Sequence, residues 1–280
     1  MSEITVTLQR IHLGLVDKYK QSHPEDNDTT TPPQFTRIKN LALFAHGEPF
    51  GLGLHESNKF ELKSENVKTF VSGLKDALVD DVNVQLYACN TGADRARIAA
   101  KIKQKGDKKK GKDAASYEEW TEHTQGERSG EDSFAAALAE ELGSQSTVYG
   151  HTTAGHTTEN FAARVFGQGA GGGKGGLHMF DVLYPESFIQ DELTRLFPDQ
   201  TEDEWAQLHN SLREQMWKHY KKSIGTKSEY AKNHYSIPIG REMFINPSNA
   251  QNLLQDDWKN KWIPAHLKEV KPKAKLKSAK

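Results

Sequence analysis

The sequence predicts an α/β fold, a parallel-sheet αβα sandwich with a helical C-terminal region, and three observations carry that expectation. Two short apolar runs, NLALFAHG (40–47) and VNVQLYACNTG (82–92), each end in a glycine-containing turn. Between them lies an apolar stripe at helical spacing, and after a second such stripe comes a third short run, STVYG (146–150). Strand, helix, strand, helix, strand, with connections longer than a hairpin, argues for crossovers and a parallel sheet covered by helices on both faces.

Taken in order, ITVTLQRIHLGLV (4–16) is a candidate N-terminal strand. NLALFAHG is continuous rather than alternating, which predicts a strand buried on both faces. From Ser64, a candidate N-cap, Val67, Phe70, Val71, Leu74 and Leu78 follow a helical period. Asp132 or Ser133 can cap the next helix, which carries Phe134, Leu138 and Leu142. LHMFDVLY (177–184) could add one more strand. Beyond Pro185 the pattern turns helical: Thr201 and Glu204 form a capping box, and Trp205, Leu208, Leu212 and Met216 recur at 3, 4 and 4. Trp205, Trp217, Trp258 and Trp262 are expected as packing anchors of these helices. The expected domains are therefore an α/β unit at 1–185, a helical region at 186–265 and a basic tail at 266–280.

Composition narrows the function classes. Of 280 residues, 35% are AVILMFWYC; counting Gly and omitting Tyr gives about 40%, below the usual 45–50%. The shortfall is concentrated in the polar stretch 101–131, the glycine run GQGAGGGKGG (167–176) and the tail KEVKPKAKLKSAK (268–280). The first of these reads as a surface insertion or a loop for processing in cis or trans. A net charge of −1 with 27% charged residues creates no global field toward nucleic acid or membrane, so neither partner is expected. The apolar runs fall short of a membrane span, and MSEITVTLQR lacks the order of a signal peptide. The expected location is cytoplasmic, or exported without a Sec signal as an effector would be. The single cysteine excludes an internal disulfide and a four-thiolate zinc site.

In a parallel sheet, catalytic groups gather at the carboxyl ends of the strands. LALFA runs into His46-Gly47, and VQLYA runs into Cys89-Asn90-Thr91-Gly92. The 43 residues from His46 to Cys89 suit one strand, helix, strand crossover, which would put imidazole and thiol at the same sheet edge. A thiol beside an imidazole is a nucleophile with its base. The backbone N–H groups of Gly47 and Cys89, each expected just past the end of strand pairing, could hold a developing oxyanion.

A hydrophobic strand ending in His-Gly, followed some forty to fifty residues later by one ending in Ala-Cys-x-x-Gly, resembles the caspase, legumain, gingipain and separase group of cysteine peptidases. LALFAHG and VQLYACNTG match both blocks in that order, and the resemblance covers about residues 38–166. It implies a caspase-haemoglobinase fold, cysteine endopeptidase activity on protein or peptide substrates, no cofactor, His46 and Cys89 as the dyad, and Gly47 with Cys89 as oxyanion donors. Many such peptidases carry Asp or Gln two residues before the nucleophile, lining the substrate pocket. This chain has Tyr87 there, which does not favour a basic side chain. Two other function classes stay open: the same thiol chemistry used as amidase, deamidase or acyltransferase in a toxin or effector, and a non-catalytic interaction domain.

Two further motifs are weaker. HTTAGHTTEN (151–160) holds two histidines five apart that match no zinc motif, so no metal site is expected, and the segment reads as a wall of the substrate cleft. GAGGGKGG lacks the Ser or Thr and the strand and helix context of a phosphate loop.

Overall fold

The computed structural model describes residues 13, 16–18, 20–22, 37–48, 51–53, 61–93, 130–152, 162–167, 175–225 and 228–270. Nearly all of the polar stretch 101–131, most of the 151–160 segment, most of the glycine run and most of the tail lie outside these residues. The described chain forms two compact units, one ending at His178 and the other beginning at Met179.

The first unit is α/β, as its alternation of periods predicts. Its main sheet has five strands in the order β1 (Ile38–Phe44), β5 (Leu78–Tyr87), β6 (Thr147–His151), β7 (Ala163–Gly167) and β8 (Leu177–His178). β1, β5 and β6 run parallel, and β7 and β8 add antiparallel pairings, so the sheet is mixed. The chain moves in one direction from β1 through β5 to β6. Crossovers of the same hand then lay α1 (Val67–Ser72) and α2 (Phe134–Leu142) on one face, where they pack together. Val67, Phe70 and Leu74 meet Phe134, Leu138, Val84, Leu86, Val148 and Phe166 in a single core. A second, three-stranded meander joins β2 (His46–Glu48), β3 (Gly51–Gly53) and β4 (Glu61–Lys63), and its Leu52 and Leu62 are buried in that same core.

Several expectations need correction. β1 is not buried on both faces: Leu41 and Leu43 are buried while Ala42 and Phe44 are exposed, the alternation of a strand covered on one side only. Ser64 is not an N-cap; it opens a 3₁₀ turn (Ser64–Asn66) whose ends carry no side-chain cap. Leu78 continues the apolar spacing by coincidence, because the helix ends at Ser72 and Leu78 begins β5. Only Leu177 and His178 of the 177–184 run are strand; Met179–Leu183 is helical, since its apolar residues serve the second unit. Leu13 and Val16–Lys18, at the end of the expected N-terminal strand, are helical. Ser133, in contrast, caps α2 as expected, accepting from the Ala136 N–H at 3.2 Å.

The second unit is helical: α3 (Met179–Leu183), α4 (Glu186–Leu196), α5 (Glu202–Ile224), α6 (Glu229–His234), α7 (Ile239–Ile245), α8 (Pro247–Asp257) and α9 (Ile263–His266), with a π turn over Trp258–Trp262. Glu204 reaches back to the Thr201 N–H (3.3 Å), the carboxylate half of the capping box, and Leu208, Leu212 and Met216 are buried as their spacing requires. Trp217, Trp258 and Trp262 are buried and Trp205 half-buried, consistent with anchors.

At the centre of this unit lies His219, fully removed from solvent. Its Nδ1 accepts from the Tyr184 hydroxyl (2.5 Å), so Nε2 carries the proton and donates to Asp257 Oδ2 (2.9 Å). Tyr230 (2.5 Å) and Tyr235 (3.1 Å) donate to the same oxygen, and Lys261 pairs with Oδ1 at 3.1 Å. Burial pushes the His219 pKa below its ordinary value and outweighs the Asp257 hydrogen bond. For Asp257, burial raises the pKa, but hydrogen bonds from His219, Tyr230 and Lys261 outweigh it and hold the carboxyl well below the usual range.

Both shifts act in one direction. A depressed pKa means that the unfolded chain binds the proton more tightly, so stability is present above the ordinary value and lost on acidification. The His219 contribution starts to fall near its ordinary value of about 6.5, and the Asp257 contribution below about 4. The expected result is a lower melting temperature at pH 5 than at pH 7.5, with a smaller difference in His219→Gln. In chemical denaturation at pH 7.5, Tyr184→Phe, which strips the donor from a buried ring nitrogen, should cost about 1–3 kcal/mol.

Candidate active site

The site is set by strand register. β1 and β5 align Phe44 with Tyr87, and the Ala45 N–H donates to the Tyr87 carbonyl at 3.4 Å, so the two chains leave the sheet side by side. His46 and Cys89 are the next equivalent positions. The main chains then touch through a glycine. A Cβ placed on Gly47 would lie 2.4 Å from the Cys89 carbonyl oxygen, 2.7 Å from its nitrogen and 2.7 Å from the Ala88 Cβ. Only a residue without a side chain permits that approach.

His46 is held by the meander. Gly47, Leu52 and Leu62 are register partners, and burial of the two leucines draws that face of the meander onto the core. Strand alternation puts His46 and its partner Gly53 on the opposite face, and the imidazole is exposed. Cys89 is half-buried.

The turn that carries Cys89 is stitched on three sides. Asn90 has φ 58°, the left-handed region that asparagine tolerates better than most residues. The Thr91 hydroxyl donates to the Ala88 carbonyl (3.2 Å), and the Ala93 N–H to that of Asn90 (3.0 Å). The Gly92 N–H donates to the His151 carbonyl at the end of β6 (2.9 Å), and the Thr91 carbonyl accepts from the Ala135 N–H at the start of α2 (2.9 Å). Gly92 and Gly150 lie in main-chain contact, since a Cβ on Gly92 would meet the Gly150 oxygen at 2.5 Å. Asn90 lies three residues past the end of β5, and its left-handed backbone bends the chain sharply just after Cys89.

The sequence-predicted residues thus fall as follows. The main chains of His46, Gly47 and Cys89 come together at one sheet edge. Gly47 is not past the end of strand pairing, as expected, but inside the second ladder, opposite Leu52. Tyr87 is buried on the sheet face away from α1 and α2; its hydroxyl donates to Gln85 Oε1 (3.1 Å), and its ring stacks on Phe44 at 4.5 Å between centroids. His151 ends β6 with its ring 6.2 Å from Tyr87, and His178 lies in β8. Among the described residues, no group of three or more His, Cys, Asp or Glu side chains could hold a metal ion.

Sequence reasoning did not find the meander that carries His46, the left-handed Asn90, the Gly92 and Gly150 contact, or Phe44. The glycines at 47, 51, 92 and 150 are the signal in the sequence for the close approaches. No known family model, curated protein or solved structure matches the chain.

A pair of substitutions tests the geometry. Gly47→Ala must push the His46 segment off Cys89 and should cost about 1–3 kcal/mol in chemical denaturation. Gly53→Ala, on the same meander, meets nothing nearer than 3.8 Å and should leave stability within about 0.5 kcal/mol. Equal effects at the two positions would contradict the contact.

Proposed function

We propose that this protein is a cysteine-type hydrolase that cleaves peptide bonds through a His46 and Cys89 dyad. The observation that carries the reading is the main-chain contact of Gly47 with Cys89, which brings an imidazole-bearing segment against a cysteine held on a sharp turn at the end of a parallel strand. The resemblance of LALFAHG and VQLYACNTG to caspase-like and legumain-like peptidases supports the same roles.

In this reading His46 takes the thiol proton and the sulfur attacks the peptide carbonyl carbon. Negative charge gathers on the carbonyl oxygen, with the Cys89 N–H as its donor. The C–N bond breaks, His46 returns the proton to the leaving amine, and a thioester remains on Cys89. His46 then deprotonates water, which attacks the thioester and releases the acid and the thiol. A partial positive charge on His46 is easier to solvate in the exposed position it occupies than in a dry core.

The dyad makes two requirements at once, a nucleophile and a base, so loss of either group should be nearly complete. Cleavage of a denatured proteome, followed by labelling of new N-termini, should fall by at least about a thousandfold in Cys89→Ala and in His46→Ala, with the fold retained. Intact-mass analysis after brief incubation with a peptide ester should find an acyl group on Cys89 in the wild type alone. Undiminished cleavage in Cys89→Ala would refute the mechanism.

A further inference from the structure

We propose that Phe44 is a specificity-determining residue and that the site takes a peptide with an apolar or aromatic side chain within one or two residues of the cut bond. This rests on the hydrolase reading and adds to it the class of substrate.

Phe44 is 69% exposed, although it closes a strand whose Leu41 and Leu43 are buried. Register explains the exposure, because Phe44 lies one residue out of phase with the leucines and so faces away from the core. The ring is nonetheless fixed. It stacks on Tyr87 with 4.5 Å between centroids and 9° between planes, and Tyr87 is itself buried, held by its hydroxyl bond to Gln85 and flanked by His151. One side of Phe44 is therefore packed on an ordered aromatic layer, and the rest of the ring is offered to solvent.

The location gives this surface its meaning. Phe44 precedes His46 by two residues, and its stacking partner Tyr87 precedes Cys89 by two. Two residues of extended chain span at most roughly 7 Å, so Phe44 and Tyr87 stand within the reach of one or two residues of an extended peptide from His46 and Cys89. An aromatic side chain immobilised in water regains free energy when another apolar group covers it, and stacked or edge-on rings add to that. Neither Phe44 nor Tyr87 offers a counter-ion to a basic side chain. The chemistry that fits is Phe, Tyr, Leu or Met.

The probe is a proteome-derived peptide library, with cut sites counted only where they vanish in Cys89→Ala. Wild-type protein should enrich Phe, Tyr, Leu and Met about tenfold over Lys and Asp at one position within two residues of the cut. Phe44→Ala should reduce that enrichment to under about threefold, Phe44→Trp should keep it, and Phe44→Glu should shift it toward Lys and Arg. If Cys89-dependent cuts occur without apolar enrichment, or with the same enrichment in Phe44→Ala and Phe44→Glu, the hydrolase reading stands and this proposal falls. If no Cys89-dependent cut occurs in the wild type, both fall.

Discussion

The contact of Gly47 with the Cys89 main chain and the Ala88 Cβ is the constraint on which the candidate site depends. Side chains on paired strands stand off the faces of the sheet, so a residue whose Cβ direction points into the neighbouring main chain must lack one. Here the chain leaving β1 has no side chain at position 47, and it stays against the chain leaving β5. The neighbourhood of His46 and Cys89 is thus a consequence of backbone packing, and no specific bond between their side chains is needed to create it. Burial of Leu52 and Leu62 supplies the force, since releasing the meander would return both to water.

The opposite flank is fixed by different means. Cys89 stands on a turn tied to β6 through Gly92 and His151, and to α2 through Thr91 and Ala135. The strain of a left-handed asparagine is tolerated because these bonds determine the turn from both sides. The helical unit solves a separate problem, that of burying polar groups. His219, Asp257 and three tyrosines satisfy one another, with Lys261 balancing the carboxylate, so an aromatic-rich interior can hold a charge.

Much of this was legible in the chain, and the reasons for the remainder are physical. The alternation of apolar runs and helical stripes gives β1, β5, β6, α2 and the long α5, because burial on a sheet or helix face imposes those periods. Apolar content alone could not separate an edge strand from a buried one, so β1 was expected to be covered on both faces. The run 177–184 is apolar because it serves two units, two residues in the sheet and five in a helix. His46, Gly47 and Cys89 were readable from their places at strand ends. Phe44 was not, since an apolar residue inside an apolar run carries no sign of which face it occupies until the register is known. Asn90, Gly92 and Gly150 were visible as turn-forming residues, but their mutual contacts join segments far apart in sequence.

The proposed dyad requires His46 to activate Cys89, and alkylation kinetics test that most directly. At pH 7, iodoacetamide should modify Cys89 in the folded wild-type protein at least about tenfold faster than in folded His46→Ala. Equal rates in the two proteins would contradict the central claim, since they would mean that the imidazole and the thiol share a sheet edge without acting on each other.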